Sequence, residues 1–147
     1  MRHVPHKLAL TLVLVAGCAA DDASSCAPDF TAGAPAQATT AEVTAILARS
    51  CALGGCHLHA PGAGDLVLDT AADAWTQAVV GVRAHETAMD LVAPGDPDAS
   101  WLAHKVFGSL CGVTCPGSGC GAPMPFGAAL SADERGTISA WIAGGAR

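Results

Sequence analysis

The pattern of apolar and polar positions divides the chain into a leader, a polar stretch and a region of helical repeats. Behind a basic start, the apolar run from Leu8 to Ala16 is typical of an export signal and is too short to span a bilayer. The next stretch is rich in Ala, Ser, Pro, Gly and Asp without an apolar period, which predicts a flexible tether. We therefore expect a signal peptide over 1–17, a tether over 18–38 and one folded domain over 39–147.

Two helices are predicted at the ends of this domain, each starting with a capping box. Thr39 would cap the first helix with Glu42 three residues on, and Ser131 would cap the last with Glu134 in the same relation. Both segments continue with apolar residues at helical spacing, namely Val43, Ile46, Leu47, Ile138, Trp141 and Ile142. We expect the first helix to deliver Cys51 to the interior.

Two further helices are predicted between these. The second would start near Asp69 and bury one stripe of apolar residues, namely Trp75, Ala78, Val79 and Val82. The third would begin at Pro97 with Asp96 as its cap, run to about Phe107 and stop at Gly108. No alternating pattern is strong enough to build a sheet, so the predicted fold class is all-α.

The leader ends in Val15-Ala16-Gly17-Cys18, which resembles the lipobox of bacterial lipoproteins. The resemblance implies that Cys18 is acylated and becomes the new N-terminus after cleavage. The chain would then be anchored by lipid to the outer membrane, facing the periplasm or the cell surface. An ordinary signal peptide with a cysteine near its cleavage site is the alternative, and both interpretations place the domain outside the cytoplasm.

The mature chain would be strongly acidic. Removal of Arg2 and Lys7 leaves five basic and thirteen acidic residues, a formal charge of −8 with His neutral. This balance argues against nucleic acid and against an anionic membrane surface as partners. Contact with the membrane is expected through the lipid alone.

The core is expected to be small and mostly aliphatic, because the chain has no Tyr and only three Phe and three Trp. Small domains of this kind usually need additional cross-links. Seven cysteines supply candidates in a compartment where disulfides and thioethers persist. With Cys18 assigned to lipid, the remaining six are Cys26, Cys51, Cys56, Cys111, Cys115 and Cys120.

Cys51, Cys56 and His57 lie directly after the first predicted helix, in the segment Cys51-Ala52-Leu53-Gly54-Gly55-Cys56-His57. Covalent haem attachment needs this set of groups, since two thiols add across the vinyl groups and the adjacent imidazole binds iron. The usual motif has two residues between the cysteines, whereas this segment has four. A Cys51–Cys56 disulfide with His57 at the surface is the alternative that the segment alone leaves open.

From about residue 39 to 145 the chain resembles the cytochrome-c-like domains found on bacterial lipoproteins. The blocks that carry the resemblance are, in order, Cys56-His57, residues 93–102 with Lys105, Met124-Pro125, and residues 130–146. In class I cytochromes c this order implies a bundle of about four helices around one haem c. Carried over, Cys51 and Cys56 attach the haem, His57 is the proximal iron ligand and Met124 is the distal one.

Three histidines are alternatives to Met124 as the second iron ligand. His59 lies too close to His57 to reach the opposite haem face, whereas His85 and His104 are distant enough in sequence. Of these two, His104 is the better substitute because its helix is expected to lie against the haem. Met89 has no comparable position and is expected in the core or at the surface.

If Cys51 and Cys56 hold haem, four further cysteines remain beside Cys18, an even set that allows two disulfides. They are Cys26, Cys111, Cys115 and Cys120. The simplest arrangement has one pair within the loop over 111–121 and one link from Cys26 back to the domain. A zinc or iron–sulfur site is the alternative, but this spacing without a nearby His matches the common zinc patterns poorly.

The sequence contains no motif for nucleophilic, acid–base or phosphate-transfer catalysis. It therefore predicts an electron carrier, and not an enzyme, that exchanges single electrons with redox proteins of the cell envelope. The rival hypothesis is a haem-free, disulfide-bonded lipoprotein that binds a partner in the envelope. A third hypothesis treats the domain as the electron-delivery part of a larger oxidoreductase.

Overall fold

The computed structural model describes residues 28–69, 71, 74–117 and 119–147. Its helices are α1 Thr40–Ser50, α2 Trp75–Val79, α3 Trp101–Phe107 and α4 Ala132–Ala143, with a 3-10 turn at Ala63–Asp65. Within these ranges no β-strand forms, only isolated bridges, and the predicted all-α class is confirmed. Among the same residues, none of the helices is long and apolar enough to cross a membrane. The predicted signal peptide and Cys18 lie outside the described residues.

Both predicted capping boxes form. The Glu42 amide donates to Thr39 Oγ1 at 3.3 Å, and the Thr39 amide donates to Glu42 Oε2 at 2.8 Å. The Glu134 amide donates to Ser131 Oγ at 3.2 Å, and the Ser131 amide donates to Glu134 Oε2 at 2.7 Å. These bonds satisfy amides that a helix start leaves unpaired, so α1 and α4 begin where the sequence predicts.

Helix α4 packs against both α1 and α3, and two tryptophans lie at the contact with α1. The rings of Trp75 and Trp141 are 5.1 Å apart. Trp75 Nε1 donates to Thr44 Oγ1 at 2.8 Å, and Trp141 Nε1 donates to Thr40 Oγ1 at 3.1 Å. Each indole thus buries its ring while its N–H is satisfied on α1. Aliphatic side chains fill the same core, namely Val43, Ile46, Leu47, Val92, Val106, Ile138 and Ile142.

An ion pair between Arg49 and Glu134 joins the outer surfaces of α1 and α4. The hydrogen bond from Arg49, together with those from Ser131, lowers the pKa of Glu134 to about 2. A carboxyl whose pKa falls on folding stabilises the folded state at neutral pH, and this contribution is lost as the pH falls through the folded-state pKa. Because both side chains are partly exposed to solvent, the contribution is small.

Helix α2 is shorter than predicted. It comprises five residues, and the chain turns soon afterwards at Gly81, whose φ is +68°. Val82 therefore lies beyond the helix and is 38% exposed, so its predicted place on the buried stripe is wrong. Asp69 caps a turn that precedes the helix, with its carboxylate accepting from the Ala71 amide at 2.9 Å and its carbonyl from the Trp75 amide at 2.9 Å.

Helix α3 begins four residues later than predicted. Asp96 Oδ1 accepts from the Ala99 amide at 3.0 Å, which closes a turn containing Pro97 before the helix starts. Ser100 is fully buried and donates to the Asp96 carbonyl at 2.7 Å, and it occupies the position that precedes α3. The predicted end at Gly108 is confirmed, with a φ of +69°.

The packed part of the chain begins before the predicted boundary at residue 39. Phe30 is buried, and its ring meets those of His104 and Phe107 edge-on at 5.2 and 5.1 Å between centroids. The backbones of Gly33 and Gly136 come so close that a Cβ on Gly136 would lie 2.1 Å from the Gly33 carbonyl carbon. The segment around Phe30 is therefore packed on the domain, although its composition predicts a tether.

Replacing Gly136 with Ala is expected to lower the free energy of unfolding by about 1–3 kcal/mol, the range typical of overpacking. The added carbon would meet the Gly33 backbone, so the N-terminal segment or α4 must shift. Chemical denaturation measures the effect. Gly54→Ala is the matched control, because nothing lies within 4 Å of its added carbon, and a change under about 0.5 kcal/mol is expected. Equal losses in the two variants would contradict this packing.

Candidate functional site

The end of α1 brings the two cysteines and the histidine of the 51–57 segment together. The amides of Cys51 and Ala52 both donate to the Leu47 carbonyl, at 2.9 and 2.8 Å, which closes the helix. The His57 amide then reaches back to the Cys51 carbonyl at 3.3 Å. The chain between Cys51 and His57 therefore returns to its starting point, and Cys56 lies next to His57 at the end of the turn.

The spacer between the cysteines is accommodated as a surface turn. The Cys56 amide donates to the Leu53 carbonyl at 2.9 Å, and residues 53–55 are exposed. Gly55 has a φ of +81°, a conformation that side-chain-bearing residues rarely adopt. The spacer residues beyond the usual two thus extend into solvent, and the turn still brings Cys56 back towards the helix end.

The orientation of His57 is fixed by a backbone carbonyl. Its Nδ1 lies 3.0 Å from the carbonyl oxygen of Leu66, which can only accept, so Nδ1 carries the hydrogen and donates. The Leu68 amide donates to the His57 carbonyl at 2.7 Å and holds the same loop in place. The lone pair of Nε2 is therefore free to bind a metal ion.

A cavity of about 740 Å³ lies between the end of α1, α2, α3 and the loop over 124–126. This volume falls within the range of roughly 300–1,000 Å³ that is usual for cofactor sites. All four residues that the sequence predicts as haem-binding line it, namely Cys51, Cys56, His57 and Met124. Most of the remaining wall is apolar and includes the buried rings of Trp75 and Trp101. The cavity therefore has the size and the mainly apolar wall that a large apolar cofactor requires.

Both cysteines on the cavity wall are free thiols, so the disulfide considered for them is not formed. Cys51 is buried, and burial raises the pKa of its thiol to about 11, with a smaller contribution from nearby Cys56. Cys51 is therefore protonated at neutral pH. Cys56 is exposed at the mouth of the same cavity.

Met124 is attached to the rest of the fold through its backbone. Its amide donates to the Lys105 carbonyl at 2.9 Å, which joins the loop over 120–126 to α3. The side chain is half-buried and lines the cavity. Met89, by contrast, is half-buried and does not line this cavity.

The other described histidines are poorer candidates for metal binding. His104 Nδ1 lies 2.8 Å from the Ser109 carbonyl and its Nε2 lies 2.9 Å from the Asp98 carbonyl, so both nitrogens are engaged. His104 is also absent from the cavity wall, although other residues of its helix line that wall. His85 lines the rim but is exposed, whereas His59 is exposed and lies outside the wall.

The cysteine-rich loop contains a disulfide between Cys115 and Cys120. This confirms the predicted pair within the loop and removes two of the three thiols that a zinc site there would need. Cys111 is also disulfide-bonded, and the link predicted from Cys26 falls outside the described residues. In the described part of the chain, no three His, Cys, Asp or Glu side chains cluster in a way that would hold a metal ion.

Three contributions to the site were not identified from the sequence. The Leu66 carbonyl has no sequence signal, because any residue supplies a backbone carbonyl. Trp75 is predicted as buried from its helical spacing, but the spacing does not show that its ring faces a cavity. Lys105 appears in the sequence only as part of a resembling block, while its ammonium group binds the loop that carries Met124.

Comparison with known proteins does not identify a relative. No protein-family model, curated protein or solved structure matches the chain. The function is therefore argued from the residues and geometry of the site.

In the cofactor-free protein, iodoacetamide is expected to label Cys56 about tenfold or more faster than Cys51 near neutral pH. The reason is that Cys51 is buried and protonated, whereas Cys56 is exposed. Peptide mass spectrometry after timed labelling measures both rates. Labelling in denaturant is the control and should remove most of the difference. Equal rates in the folded protein would contradict the burial of Cys51.

Proposed function

We propose that the chain is a monohaem c-type cytochrome that carries single electrons in the cell envelope. The observation that supports this most directly is that one apolar cavity is lined by all four residues that the sequence assigns to a haem. These are two free thiols, an imidazole with an available Nε2 and a methionine, which is the donor set of this kind of cytochrome.

Cys51 and Cys56 would attach the haem covalently. Each thiol would add across a vinyl group, with the sulfur bonding to one carbon and the thiol hydrogen passing to the other. Both thiols line the cavity and are unpaired, as this addition requires. The outward turn at Gly55 would accommodate the long spacer.

His57 and Met124 would bind the iron. The hydrogen bond from His57 Nδ1 to the Leu66 carbonyl orients the ring and fixes the tautomer in which the Nε2 lone pair can bind a metal. A thioether as the second ligand favours the ferrous state more than a second imidazole would. When bound, the haem would supply one-electron chemistry, accepting one electron from a reduced partner and passing it to an oxidised one.

The cavity walls suit electron exchange with another protein. The rings of Trp75 and Trp101 are buried in the cavity wall, and such apolar surroundings would raise the potential of a bound haem. At the mouth, Val82 and Phe126 are 38% and 82% exposed. An apolar edge that remains exposed gives a redox protein a surface on which to dock.

The proposed carrier is exported and held at the outer membrane by lipid on Cys18, with no other membrane contact. The apolar leader and the Val15-Ala16-Gly17-Cys18 segment support this. The role is electron transfer, either alone or as the delivery domain of a larger oxidoreductase. The haem-free alternative requires a Cys51–Cys56 disulfide, and this disulfide is not formed.

Covalent haem is expected when the chain is expressed with c-type cytochrome maturation factors. A pyridine haemochrome spectrum of the denatured, washed polypeptide measures it. Replacing both Cys51 and Cys56 with Ser should abolish the signal, because no thiol remains on the cavity wall to form a thioether. Replacing both Cys115 and Cys120 with Ser is the matched control and should retain covalent haem. A colourless wild-type protein that is folded would refute the proposal.

Replacing Met124 with Ala in the haem-loaded protein is expected to lower the reduction potential and to open the iron to cyanide. The loss of a thioether ligand removes its preference for ferrous iron and leaves a vacant position. Redox titration and cyanide binding measure the two effects. Met89→Ala is the control, because Met89 lies outside the cavity wall. If Met124→Ala retains the wild-type potential, Met124 is not an iron ligand.

A further inference from the structure

We propose that Lys105 is a positioning residue that holds the loop carrying Met124 at the cavity, an inference that rests on the proposed haem site. Its Nζ donates to the carbonyl oxygens of Cys120 and Ala122, at 2.7 and 2.8 Å. Its own carbonyl accepts from the Met124 amide at 2.9 Å. One residue of α3 therefore makes three hydrogen bonds to residues 120–124, and two of them come from a charged donor.

The ammonium group of Lys105 is held closely by its surroundings. It lies 5.0 Å from the ring centroid of Trp101, within the range of a cation–π contact. Burial lowers the pKa of Lys105, and the charge of Glu86 opposes this effect. The loop follows the ammonium so tightly that a Cβ on Gly121 would lie 3.3 Å from Nζ, with Gly121 at a φ of +66°.

The three hydrogen bonds of Lys105 matter because the loop that leads to Met124 has little regular secondary structure. Residues 108–121 contain no helix in the part that the structure describes, and glycines recur along them. The Cys115–Cys120 disulfide closes one turn of this loop, and Lys105 binds the carbonyl of Cys120 itself. A thioether binds iron weakly, so its retention depends on how firmly the backbone holds it at the site. Lys105 supplies that restraint.

Two variants of Lys105 and one control separate positioning from charge in the full-length, haem-loaded protein. Lys105→Met keeps a long side chain but removes the positive charge and the hydrogen-bond donors. Lys105→Arg keeps the charge and the donors. Arg83→Met removes a different cation from the wall of the same cavity. Arg83 pairs with Asp90 at 3.9 Å and, among the described residues, donates no hydrogen bond to residues 120–124.

Cyanide binding to the ferric protein is the first readout, together with the charge-transfer band of methionine-ligated ferric haem. Lys105→Met is expected to bind cyanide at least about tenfold more tightly than wild type and to show a weaker band. The free energy of hydrogen bonds from a charged donor corresponds to at least about this factor in an equilibrium constant. Lys105→Arg and Arg83→Met should both stay within about threefold of the wild-type cyanide affinity, because solvent screens the charge of the exposed Arg83. A wild-type cyanide affinity in Lys105→Met would overturn the proposal.

Hydrogen exchange of the Met124 amide is the second readout, and it does not require haem. Lys105→Met should accelerate this exchange about tenfold or more while leaving amides of α4 close to their wild-type rates. Equal acceleration of both regions, or no acceleration, would overturn the positioning role. A wild-type chain without covalent haem would instead refute the proposed function, and the exchange data would still decide the role of Lys105.

Discussion

The contact between α1 and α4 determines where the rest of the domain lies. Two tryptophans are buried there, and the only polar atom of each indole is satisfied by a threonine hydroxyl on α1. Rotation of α1 would therefore break two hydrogen bonds at once, one to each tryptophan. Since Cys51 follows α1 directly and His57 hydrogen-bonds back to Cys51, this contact also fixes the position of the candidate site.

The elements that could be predicted from the sequence are those defined by local chemistry. The starts of α1 and α4 depend on a hydroxyl and a carboxylate three residues apart, and both form as predicted. The starts of α2 and α3 instead follow turns capped by Asp69 and Asp96, which the spacing of apolar residues does not show. Helix α3 begins only after Ser100, because the side chains of Ser100 and Asp96 form hydrogen bonds within the turn that precedes the helix. Phe30 lies in a segment of tether-like composition, and only its burial reveals that it belongs to the core.

The candidate site likewise contains residues that could be predicted from the sequence and supporting groups that could not. Cys51, Cys56 and His57 were identified from their side chains and spacing, and Met124 from the resemblance to a known family. All four line one cavity. The supports of these residues were not predicted. The Leu66 carbonyl that orients His57 comes from the backbone, and the bonds from Lys105 end on carbonyl oxygens, so neither partner has a side-chain signal in the sequence.

The burial of Cys51 has a kinetic consequence in an oxidising environment. Because Cys56 is the exposed thiol of the pair, it would be the first to form a mixed disulfide with a small thiol. Closing the Cys51–Cys56 bond then requires Cys51 to attack as a thiolate, and burial, the main cause of its raised pKa, makes that form scarce at neutral pH. Formation of this disulfide in the folded domain is therefore slow, which leaves time for another reaction at the two thiols.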